Sequence, residues 1–205
     1  MAALMVIDDV ADALLRPRRR LPLIVAERGP FAAGAVVLVA GAVCAGIGVA
    51  ATVVEPVSRI AGGATGRSAG VILSALLPVL LLVTWLVDAW IVDLGARAMG
   101  APSRKREYLV ASGFAVPVLV LFELASLLAA ALDSAGAYDA AVAAGYLRYA
   151  ALAWYVILLT LAARGIYELP TIGALTAALL PYAAMTMVLI VVLAVLSAVL
   201  SVGGR

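Results

Sequence analysis

Histidine, asparagine and glutamine are missing from this 205-residue chain, and only 13% of its residues are charged. Without imidazole there is no histidine-based acid-base catalysis and no histidine metal ligand; without asparagine there is no N-glycosylation acceptor. Cysteine occurs once, as Cys44, so no disulfide closes within the chain and a thiolate metal site would need other chains. Cys44 lies in an apolar run, where a thiol is usually a small hydrophobe. Basic residues are fourteen and acidic ones twelve, too few to cover a water-soluble fold of this size.

Apolar surface is what the chain has in excess. Hydrophobic residues make up 66% and the mean hydropathy is +1.19, whereas a soluble domain is about half apolar and a quarter charged. The net charge of +2, with its basic residues in short clusters between apolar segments, leaves no nucleic-acid footprint. Asp8, Asp9 and Asp12 precede the basic run Arg16, Arg18, Arg19, Arg20, the reverse of a signal peptide, so the amino terminus is expected to be retained.

A hydrocarbon core of about 30 Å takes roughly 20 helical residues to cross. Five segments qualify, 31–54, 68–99, 108–132, 146–166 and 171–202, and they predict an all-α polytopic membrane helix bundle. Glu55-Pro56 closes the first, and a glycine-rich link, 60–67, follows. The second would be about 47 Å long and must leave the membrane at its far end. Pro78, Pro117 and Pro181 fall inside three of the spans and free backbone carbonyls that a neighbouring helix or water must satisfy. In the first, Ala42, Gly46 and Ala50 form a small-residue stripe that suits close helix packing, within the chain or between copies. Gly46-x-Gly48-x-x-Ala51 superficially matches a dinucleotide fingerprint, but no strand or soluble βαβ unit accompanies it.

Residues 1–30 form a separate cytoplasmic or interfacial segment. Leu4, Ile7, Ala11, Leu14 and Leu15 share one helical face, which predicts a short amphipathic helix among acyl chains, with a solvated tail as the alternative. Arg16, Arg18, Arg19 and Arg20 would then meet anionic headgroups, at about 1 kcal/mol each. Arg104, Lys105 and Arg106 are candidates for the same contacts or for a partner. With the amino terminus inside, ten basic residues fall on the inner side, while Arg59, Arg67, Arg148 and Arg205 fall outside. That bias predicts five crossings, the amino terminus cytoplasmic and the carboxyl terminus outside. A re-entrant fourth segment would instead return the carboxyl terminus to the cytoplasm.

Acidic residues within apolar surroundings are the candidate polar sites. Asp88 and Asp93 are expected near the inner boundary in a structural role, with Trp85 and Trp90 as an interfacial belt and Asp93 paired to Arg97 one turn on. Glu123 lies roughly 21 Å above that boundary, where an ionised group needs a partner. Arg148 is the expected partner; a protonated Glu123 bonded to Ser126, or a proton or ion site, are the alternatives.

Three stretches, ALLRPRRRLPLIVAERGP, GARAMGAPSRKREYLVASGFAVP and ARGIYELPTIGALTAALLP, occur in that order around these spans. Their proline, glycine and aromatic spacing resembles the Ypt-interacting-protein (Yip) family of five-span membrane proteins. The resemblance implies a protein that acts through lipids or partners rather than turnover, with no cofactor. The expected function is therefore a non-enzymatic membrane organiser, scaffold or accessory subunit that contacts membrane lipids and forms a homo-oligomer or joins a larger complex. The alternative is a small solute, ion or proton transporter or channel that uses its intramembrane acidic residues. Thirteen arginines against one lysine, with abundant alanine, point to a bacterial cytoplasmic membrane.

Overall fold

The computed structural model describes residues 2–54 and 63–203. Glu55-Pro56, Arg59, Arg205 and residues 60–62 of the expected link lie outside these residues, while 63–67 of that link are already helical. Among the described residues the chain is helical with no strand. In order the helices are α1 (Ala2–Leu15), α2 (Pro17–Glu27), α3 (Pro30–Val54), α4 (Gly63–Ala98), α5 (Lys105–Ala115), α6 (Val118–Ser134), α7 (Tyr138–Tyr167) and α8 (Thr171–Gly203). Five stretches are long and apolar enough to cross a membrane: Pro30–Ala51, Ser68–Ala98, Lys105–Ser134, Tyr138–Tyr167 and Thr171–Val195. The chain is an all-α integral membrane protein.

Two spans differ from their expected form. The third is broken at Val116 and Pro117 into α5 and α6, because proline has no N–H to donate and its ring disfavours an unbroken helix. The fourth was expected from 146 but starts at Tyr138 and continues for 30 residues, about 45 Å, more than a crossing needs. Gly136, at φ +80°, reverses the chain just before it, and the alanine-rich 140–144 stretch carries the helix on.

The spans close a ring, with α3 on α4 and α6, α8 on α4 and α7, and α7 on α6. α5 fills the middle, packing on α3, α4 and α7, with Tyr108 and all of Val110 to Ala115 buried. Missing side chains set the closeness. A Cβ on Gly41 of α3 would lie 2.7 Å from the Pro78 Cα of α4, and one on Gly113 would lie 2.8 Å from the Ala33 Cβ. The expected stripe of Ala42, Gly46 and Ala50 instead faces outward, and α3 packs through Ala33, Val37, Ala40, Gly41 and Cys44. Trp85 is no interfacial anchor either. It is 6% exposed and its Nε1 donates to Ser112 Oγ at 3.1 Å, while Trp90 stays exposed.

Packing is uneven along the bundle. One end is sealed by α1 and α2, which dock on α5, and by α2 on α7; the α4–α5 and α7–α8 connections lie there too. Toward the other end α8 is exposed from Ala183 to Val195. The amino-terminal segment is a two-helix unit rather than one amphipathic helix, since Pro17 suits a first helical position and starts α2. Its buried side also differs from most of the expected face: Val10 and Ala13 pack on the core together with Leu14, while Ile7 is exposed and Leu15 is 78% exposed; the Leu4 side chain lies outside the described residues. The cause is Asp9, which lies on the inward side.

Candidate functional site

Asp9 is 1% exposed and joins the two amino-terminal helices to the start of α3. Arg20 Nη2 donates to Asp9 Oδ1; Arg28 Nε and Nη2 reach Oδ2 at 2.8 and 2.7 Å. Burial raises the Asp9 pKa, yet the hydrogen bonds and charges of the two guanidiniums outweigh it and hold the carboxyl below its ordinary value of 3.8. The same contact raises Arg20 above its ordinary value. Asp12 and Glu27 stand farther out, each 3.9 Å from Arg20. Arg20 thus points inward rather than toward headgroups. Among the described residues Arg16, Arg18 and Arg19 have no ion-pair partner and stay exposed, as do Lys105 and Arg106.

A second buried carboxylate ties together the connections at the same end. Asp93 of α4, 4% exposed, accepts hydrogen bonds from Ser103 Oγ at 2.9 and 3.1 Å, the Arg104 backbone N–H at 3.1 Å and the Tyr167 hydroxyl at 3.0 Å. The expected Arg97 contact is present at 3.6 Å, but it is the outermost of the set. Arg104 continues the knot, donating to the Ile166 carbonyl at 3.0 Å and pairing with Glu168 at 3.2 Å. Glu168 has φ +56°, a left-handed conformation glycine would adopt more easily, and it ends α7 there. Sequence spacing flagged Asp93 through its i, i+4 neighbour; Tyr167, distant in the chain, carried no such signal.

These two clusters hold α2 beside α5 and α7 and leave cavities between them. One, of about 540 Å³, is lined by Arg18, Arg104 and Arg164 over an apolar floor that includes Leu21, Ala111 and Leu161, with Glu107 as its acidic member. A second, of about 520 Å³, shares Pro17, Arg18 and Leu161 with the first and adds Arg16, Arg19 and Trp154. Trp154 also lines a third, of about 460 Å³, an apolar groove between α6 and α7 walled by Leu121, Leu124, Leu128 and Leu147. Basic groups and apolar walls thus adjoin along one side of α7, where neighbouring cavities share lining residues, a lining suited to a ligand with an anionic head and an apolar body.

The intramembrane candidates do not converge. Glu123 and Arg148 form no ion pair: Arg148 lies over the Tyr149 ring at 5.0 Å and donates to its hydroxyl at 3.3 Å. Glu123 is half-buried on α6. Ser126 donates to its own helix, at the Phe122 carbonyl, rather than to Glu123. Asp88 is half-buried beside a void of about 10 Å³ that Tyr108, Ser112, Tyr155 and Tyr182 help line, room for one water and no solute. Among the described residues no three His, Cys, Asp or Glu side chains are grouped to hold a metal. Compared with known proteins, the chain matches no family model, no curated protein and no solved structure.

Proposed function

We propose that the protein is a non-enzymatic, Yip-like membrane protein whose sealed basic end engages anionic lipid headgroups, and that this end faces the cytoplasm of a bacterial cell. One observation carries the reading. Buried Asp9 binds Arg20 and Arg28, Asp93 and Glu168 bind Arg97 and Arg104, and Arg16, Arg18, Arg19 and Arg164 border open cavities. Asp9, Asp93 and Glu168 therefore fix the scaffold, and Arg16, Arg18 and Arg19 are left for an external anion. The count of basic residues supports the orientation, since Lys and Arg beside spans are retained in the cytoplasm. A scaffold role fits the geometry better than transport because Glu123 and Arg148 form no pair, Arg148 lies on Tyr149, and Asp88 borders a void of only about 10 Å³ rather than a solute path.

Extraction in mild detergent, with analysis of the retained lipid, tests the proposal. Anionic lipid should be enriched over its share of the source membrane, and proteoliposomes should show no solute uptake that depends on Glu123 or Asp88. Uptake abolished by Glu123→Gln or Asp88→Asn would favour the transporter instead.

A further inference from the structure

We infer that the path past Trp154 is a binding site for a single anionic phospholipid, its phosphate among Arg16, Arg18 and Arg19 and one acyl chain lying between α6 and α7. The inference rests on the lipid-binding reading above and assigns it a place and a stoichiometry.

The mouth of the path is charged, and among the described residues its arginines have no ion-pair partner. Arg16, Arg18 and Arg19 line the second cavity, which has no acidic lining residue, and the nearby Asp9 is taken by Arg20 and Arg28. Asp9 also fixes α2 rigidly, so these cations are presented by an ordered element rather than a solvated tail. The mouth opens onto apolar wall. On α7 the lining residues Leu147, Ala150, Ala151, Trp154, Ile157 and Leu161 recur at three- and four-residue intervals, one stripe that spans about 21 Å of helix. On α6, Val118, Leu121, Ala125 and Leu128 form the facing stripe. Small residues leave the width: Ala125, Ala150 and Ala151 stand where larger side chains would close the groove.

Charge decides the occupant. A zwitterionic lipid or a detergent tail fits the apolar groove equally well but leaves three guanidiniums without an anion at a surface where each should favour anionic over neutral lipid about fivefold. A phosphate carrying a net negative headgroup satisfies both ends at once, with long arginine stems reaching across the mouth. Trp154 lines both the second cavity and the groove, so its ring can pack against the part of the ligand next to the headgroup.

The test is native mass spectrometry of the full chain released from nanodiscs holding equal phosphatidylglycerol and phosphatidylcholine with matched chains. The protein should retain one phosphatidylglycerol. Replacing Arg16, Arg18 and Arg19 together by Gln should cut its preference about a hundredfold, and Ala150→Trp, which fills the groove from an exposed position, should abolish retention without lowering the melting temperature. Lys105→Gln with Arg106→Gln, off the path, should change little. Quenching by phosphatidylglycerol brominated on its chains should be stronger in the unaltered protein than in Trp154→Phe. Retention undiminished in the arginine variant or in Ala150→Trp would overturn the site. A preference lost only in the Lys105/Arg106 variant would overturn it while sparing the broader lipid reading, and no anionic preference in any protein would overturn both.

Discussion

At the scale of single residues, the stability of the basic end rests on two buried carboxylates whose hydrogen-bond capacity is nearly used up. Tyr167→Phe removes one donor from Asp93 and should cost about 1–3 kcal/mol, read as a lower unfolding midpoint in detergent. An unchanged midpoint would mean that Tyr167 is not part of the knot. Asp9 gives a pH signature. Its folded pKa is depressed, so its stabilisation is complete above the ordinary value of 3.8 and is lost only as pH falls through the lower folded value. A spin-label pair on Ala11→Cys and Ile157→Cys, with Cys44→Ala, should keep its distance from neutral pH to about 5 and broaden only in stronger acid. Broadening already near pH 5 would contradict the clamp. Asp93 was legible in the sequence as a carboxylate one helical turn from Arg97. Asp9 was not: its partners lie 11 and 19 residues on, and nothing in spacing tells which of three aspartates turns inward.

Among the helices, glycine positions separate close packing from open surface. Gly41→Ala places a methyl against the Pro78 backbone and should destabilise by about 1–3 kcal/mol. Gly46→Ala meets nothing within 4 Å and should be neutral or stabilising by up to about 1 kcal/mol through helix propensity. Thermal unfolding of the two variants side by side checks this, and equal effects would contradict the assignment of the packed face. The four-residue recurrence of Ala42, Gly46 and Ala50 signalled a helix that can be approached closely, but a helix this uniformly apolar has no polar side to orient it. The buried face was therefore invisible until α4 and α5 were in place. The amino-terminal face failed for a related reason: apolar periodicity outlined Ile7, Ala11 and Leu15, whereas the buried ion pairs of Asp9 decided which side of α1 turned in. The break at Pro117 shows the opposite case, a residue whose missing N–H was plain in the sequence and whose consequence, two helices in one span, the structure displays.

For the molecule as a whole, the number of spans was legible because hydrocarbon thickness and helical rise fix how many apolar residues one crossing takes. The closed ring and its central α5 were not, since apolar segments of similar composition do not specify their neighbours. What the ring accomplishes is a division of labour: a tight, charged end that fixes α1 and α2, and an opposite end where α8 stands exposed. If five crossings separate those ends, the α4–α5 and α6–α7 connections lie on opposite sides of the membrane. Thiol labelling in a Cys44→Ala background measures this directly, with Pro102→Cys and Arg19→Cys reporting the basic end and Ala137→Cys the other. An impermeant reagent applied to intact cells should modify residue 137 alone, and reach 19 and 102 only after the membrane is opened; labelling of 19 or 102 in intact cells would contradict the orientation, and labelling of all three would contradict the crossings themselves.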